Sequence, residues 1–136
     1  MTGPAVAPAL LRSALLALSN RIAEAQTEDD VCRGIVESLC QPAFGFAGVG
    51  LYLAGATAFE PALRAQAGVF EAAGGSATQL KLPLRIDQST IGEVVVQRAT
   101  GRAFEQGDLE IIAAAANQAG IAIGRTRIRA TERQRI

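Results

Sequence analysis

The sequence predicts an α+β domain: an antiparallel sheet with the N-terminal and C-terminal helices packed on one face. Three observations carry this. Apolar residues recur at helical spacing near both ends of the chain and at period two in the middle. Turn residues mark the places where the period changes. The 136 residues suit one domain large enough to bury its own core.

Residues 1–8, with Gly3, Pro4 and Pro8, read as a flexible leader, and residues 9–126 as the domain itself. From Ala9, a stripe of Leu11, Leu15, Leu18, Ile22 and Ala25 marks one face of a first helix. Thr27 offers an N-cap to a second helix, and Glu28, Asp29 and Asp30 suit the positive end of its dipole. Val31, Ile35, Val36 and Leu39 form its apolar face, and Pro42 and Gly45 end it. Phe46 to Leu53 then alternates: Val49, Leu51 and Leu53 on one face, Gly48, Gly50 and Tyr52 on the other. Ala54 to Ala58 reads as a turn. Phe59 to Ala67 reads as a second strand, with Leu63, Ala65 and Ala67 on one face. Gly68 to Thr78 reads as a loop around Gly74, Gly75 and Ser76. Leu80 to Ile86 and Ile91 to Ala99 form a hairpin about Asp87 to Thr90, with Pro83 at an edge because it has no N–H for a ladder. Glu105 to about Gln134 is one long helix, its last part, residues 127–136, leading on as a connector toward a possible output domain.

Composition excludes several classes. Half the residues are hydrophobic, so the chain is not disordered. The 13 basic and 13 acidic residues balance, which argues against a nucleic-acid partner. The charge is nonetheless uneven: Arg125, Arg127, Arg129, Arg133 and Arg135 outweigh Glu132 in the last stretch. No run approaches the ~20 apolar residues of a membrane span, and no basic start suggests a signal peptide. The expectation is a cytoplasmic protein with no membrane partner. With no histidine, the commonest metal ligand and acid–base group is missing, so no metal, cofactor or catalytic residue is expected. Cys32 and Cys40 lie eight apart on one helix. That places them ~12 Å apart in rise, whereas a disulfide needs Cα atoms within about 7 Å.

Four stretches together resemble a GAF domain, the small sensory fold related to PAS domains. They are the opening helices Leu15 to Ile22 and Asp30 to Leu39, then Phe46-Ala-Gly-Val-Gly-Leu-Tyr-Leu53. The hairpin Leu82-Pro83-Leu84 with Ile91-Gly92-Glu93-Val94-Val95 follows, and last Phe104, Asp108-Leu109 and Ala116-Asn117-Gln118-Ala119 through Ile123. They span roughly residues 12–126. Two departures stand out. Glu105 stands where the family has Ser or Thr, with Gly107 in the first turn, so that helix start is expected to fray. The segment from Gly68 to Thr78 is far shorter than the cover of the family's ligand-binding members, so any pocket is expected to be small and open.

The resemblance implies a non-enzymatic sensory or regulatory input and dimerisation module of a signalling protein such as a sensor kinase, with a homodimer as partner and room for an unknown small molecule. The helix residues expected at a self-association seam are Leu11, Leu15, Leu18, Ile22, Ile112, Ala116, Ala119 and Ile123, although the first-helix stripe also suits burial in the core. The candidate ligand pocket is Gly48, Gly50, Tyr52 and Phe70. The small residues leave space above the sheet, which either a ligand or one of Phe46, Phe59 and Phe70 fills. Two alternatives stand beside this: a small redox enzyme of the free methionine sulfoxide reductase type, and a ligand-free structural dimerisation module.

Overall fold

The computed structural model describes residues 8–54, 61–71, 78–98 and 103–134. The leader up to residue 7, most of the turn after Ala54, Phe59, Gly74-Gly75-Ser76, Ala99 and the last two residues lie outside these. The order is α1 (Pro8–Glu24), α2 (Glu28–Leu39), β1 (Gly48–Leu53), β2 (Ala62–Gly68), β3 (Thr78–Ile86), β4 (Ser89–Arg98) and α3 (Gln106–Gln134).

The helices begin where local chemistry lets them. Thr27 caps α2, its Oγ1 accepting from the Asp30 N–H at 3.1 Å, with three acids in the first turn. The start of α3 does not fray as expected. Asp108 fixes the helix start from the other side of the cap: its Oδ2 accepts from the Glu105 N–H at 2.8 Å, while the Asp108 and Leu109 N–H groups donate to the Glu105 carbonyl. This is the reciprocal arm of a capping box, with the acid at the third helical position. The helix then runs unbroken past residue 126 to Gln134.

The four strands are antiparallel in the order β2-β1-β4-β3. Pro83 therefore sits in an edge strand, where a missing N–H costs the ladder least. Strand β2 departs from simple alternation. A register shift opposite Leu51 and Tyr52 pairs Leu63 with Tyr52 and Ala65 with Leu51. The extra residue, Arg64, is a β-bulge. Leu63 consequently leaves the face of Ala65 and Ala67 and stands partly exposed, which corrects the expected triple.

One core joins the sheet to the helices. Val49, Leu51, Leu53, Val94, Val96 and Leu84 meet Ile35, Leu39, Ile112, Ala119 and Ile123, all buried. Helix α2 lies on β1 and β2, and α3 lies chiefly on β3, where Gly120 admits the Arg85 carbonyl. Helix α1 rests on α2 and α3, without strand contact among the described residues.

The opposite sheet face and its polar neighbours

Because Val49, Leu51 and Leu53 point into the helical core, Gly48, Gly50 and Tyr52 stand on the other face of β1. What lies over them follows from topology. Strands β2 and β3 are the two edges, so the chain leaving β2 must cross β1 and β4 to reach β3. Gly68, at φ +68°, turns the chain, and the Val69 N–H donates to the Ala47 carbonyl at 2.8 Å. The backbone of Val69 and Phe70 then passes so close over Gly48 that a Cβ there would strike it. The Phe70 ring lies on Gly50 in the same way and sits 6.4 Å from the Tyr52 ring. By Glu71 the chain is over β4, where Gln97 holds it with two hydrogen bonds. The Glu71 N–H donates to Oε1 at 2.8 Å, and Nε2 donates to the Glu71 carbonyl at 2.8 Å.

This strap is taut. Two inter-strand steps are about 9.6 Å, and three extended residues reach about 10 Å. A crossing that short leaves no layer beneath it. The structure brings all four expected pocket residues together, with Phe70 in the space the glycines leave. Of the three phenylalanines weighed for that space, Phe46 lies elsewhere, beside Phe44 and Phe104, and Phe59 falls outside the described residues. The residue that sequence reasoning missed is Gln97. It is 1% exposed on a central strand, and a polar side chain within a valine-rich run was its only signal.

Two further polar clusters tie elements together. Arg98 lies between the Phe46 and Phe104 rings, its guanidinium carbon 5.3 and 5.4 Å from their centroids. It pairs with both Asp108 oxygens, at 2.8 and 3.0 Å, and donates to the Ala103 carbonyl. Glu28 is held between Arg64 of β2 at 3.0 Å and Arg127 of α3 at 2.7 Å, and Arg127 also donates to the Ala54 carbonyl. The bulge in β2 aims Arg64 here, where it also meets Asp29 at 2.6 Å. The acidic run is thus capped and ion-paired. Among the described residues, no group of three or more His, Cys, Asp or Glu is placed to hold a metal ion.

No family model matches the sequence, and no curated protein matches it. Solved structures do. The GAF domain of a phosphoenolpyruvate-protein phosphotransferase from Coxiella burnetii superposes with a TM-score of 0.75 at 12% identity, over 89% of this chain and 96% of that one. The GAF domain of a putative sensor histidine kinase from Pseudomonas syringae pv. tomato gives 0.71 at 16%, over 94% and 97%. The fold is that of a GAF domain. A third structure, the free methionine-R-sulfoxide reductase of Neisseria meningitidis with its substrate, gives 0.72 at 17%, over 93% and 95%. Likeness of fold is therefore shared by sensory GAF domains and by an enzyme, and side chains must decide between them.

The cysteines of this GAF fold are poorly suited to redox work. Cys32 is buried in the core, and that burial pushes its thiol up to about 11, outweighing the nearby Arg64 charge, which lowers it. Burial also raises Cys40, against a hydrogen bond with the Val49 backbone. Both are free thiols, and a thiol held protonated is a weak nucleophile. The expected seam residues also find a different use. Leu18, Ile22, Ile112, Ala116, Ala119 and Ile123 are buried within the single chain, and Leu11 and Leu15 rest against the same core. The first six have almost no area left for a second copy, whereas Leu11 and Leu15 stay partly exposed. Among the described residues, the large apolar side chains those helices show to solvent are Leu16, Ile121 and Ile128, 62%, 57% and 61% exposed. An open groove of about 580 Å³, floored by Ile86, Ile91 and Ile128, runs between the β3–β4 turn and α3. No helix among the described residues is long and apolar enough to cross a membrane.

Proposed function

We propose that this GAF-fold chain is a regulatory input and dimerisation module of a signalling protein, acting through α3 and not through a catalytic group. One observation carries the reading. The inner side of α3 is seated on β3, α2 and α1, while its outer side presents Ile121 and Ile128, seven residues apart and therefore on one face. A helix clamped to the sheet at one side and open to a second copy at the other can carry a shift in the sheet to whatever follows it. Arg127 strengthens that connection by joining α3 to the end of β1 and the start of α2. Residues 127–136 then act as the connector.

The partner is a second copy of the chain, met through the outer faces of α3 and α1, where α1 contributes the exposed Leu16. Light scattering on the intact chain tests this. Because Ile121 and Ile128 are exposed in the single chain, Ile121→Glu with Ile128→Glu separates assembly from folding, which a change at buried Leu18 would not. A second reading, a module without a ligand, is favoured by the Phe70 ring on Gly50. The sheet face of Gly48, Gly50, Tyr52 and Phe70 is the ligand side, reached when the Phe70 ring leaves it.

A further inference from the structure

We propose that the sheet surface beneath Phe70 is a binding site which the chain occupies itself, and that it takes a planar ring whose edge carries an N–H donor beside a C=O acceptor. This rests on reading that face as the ligand side. The strap presents two things to the sheet in succession: a flat ring on Gly50 and, one residue on, a donor–acceptor pair on Gln97. A ring with an amide-like edge combines both in one molecule.

Gln97 is what makes the surface selective. If the surface were only a wall, an apolar residue would serve on this strand as Val94, Val95 and Val96 do, without the desolvation that a buried amide costs. Instead both polar atoms of its amide are paired with the main chain of one residue that is otherwise exposed. An incoming edge that remakes both bonds leaves no buried polar atom unpaired, whereas a ring without that edge strands the amide. The strap has the means to yield. Gly68 provides a left-handed turn at its base, Val69 is 75% exposed, and Phe70 is only half-buried. Because three residues span the crossing with no slack, release of Glu71 from Gln97 is the step that lets Phe70 lift. The exchange trades two hydrogen bonds and a ring for two hydrogen bonds and a ring. The occupied state therefore sets how much ligand is needed, since apparent affinity scales with the open fraction.

The test uses uracil as the probe, with 1,3-dimethyluracil, which has no N–H donor, as its matched control. Each is titrated into the intact chain and into Phe70→Ala while the amide resonances of β1 and β4 are followed. Uracil should bind Phe70→Ala about tenfold or more tighter than the unaltered chain. Dimethyluracil should bind it correspondingly weaker than uracil, and adding Gln97→Met should remove the difference between the two. Equal binding of the two probes to Phe70→Ala overturns the donor–acceptor edge and leaves the ligand face standing. Binding of neither overturns both, and binding no tighter than to the unaltered chain overturns self-occupancy. Phe70→Leu, which keeps apolar cover but removes the flat ring, is judged by the same outcomes should Phe70→Ala fail to fold.

Discussion

Gly48 and Gly50 differ in what a side chain there would strike. At Gly48 it meets the backbone of Val69 and Phe70, which is fixed at both ends of the strap. At Gly50 it meets the Phe70 ring, which can turn aside. Gly50→Ala should therefore cost about 1–3 kcal/mol, the usual range for overpacking, and Gly48→Ala more. In a Phe70→Ala background, the cost of Gly50→Ala should vanish. Urea denaturation of the four chains of that cycle measures the coupling, and an equal cost in both backgrounds would show that the ring is not what Gly50 accommodates. Cys32 gives a second test at this scale. Its folded thiol is raised to about 11 from an ordinary value near 9. Its contribution to stability is fully present below pH 9 and is lost as pH rises toward 11, because the unfolded chain ionises first. The loss is on the order of 2–3 kcal/mol. Denaturation midpoints between pH 8 and 11 should fall less steeply in Cys32→Ala than in the unaltered chain, after normalising each to its value at pH 8.

At the scale of elements, α3 is anchored at its first turn by one carboxylate with two tasks. Asp108 caps the helix and pairs with Arg98, a guanidinium otherwise enclosed by aromatic rings. Asp108→Ala should cost about 3–5 kcal/mol, the range for leaving a buried charge without its partner. Hydrogen exchange should rise first in residues 106–110. Glu105→Ala, which touches neither task through its side chain, should change little. The elements also show what period alone conveys. Helix and strand spans were legible because burial imposes periods of 3.6 and 2 on the residues that face a core. The bulge at Arg64 was not, since an extra residue in one strand is defined only against its partner. The strap was not legible either. Its path follows from β2 and β3 being opposite edges, and strand order is a long-range property that Gly48 and Gly50 record without disclosing. Two small residues on a strand signal that something comes close, whether a ligand or the chain itself.

For the whole molecule, an apolar stripe likewise says that a face is covered, not by what. The stripe of Leu18 and Ile22, with Ile112, Ala116, Ala119 and Ile123, satisfies heptad spacing and is covered within the chain itself, on α1 by α2 and α3 and on α3 by α1, α2 and the sheet. The face left for a second copy carries Ile121 and Ile128, which fall outside that stripe and between polar neighbours such as Asn117 and Arg125. The most direct measurement of the account is therefore the solution mass of the intact chain and of the Ile121→Glu, Ile128→Glu variant by light scattering at matched micromolar concentrations. The first should give twice the 14.1 kDa chain mass. The second should give the single-chain mass, with circular dichroism and melting unchanged. A single-chain mass for the unaltered protein at high concentration, or an intact dimer in the variant, would rule out a seam at Ile121 and Ile128.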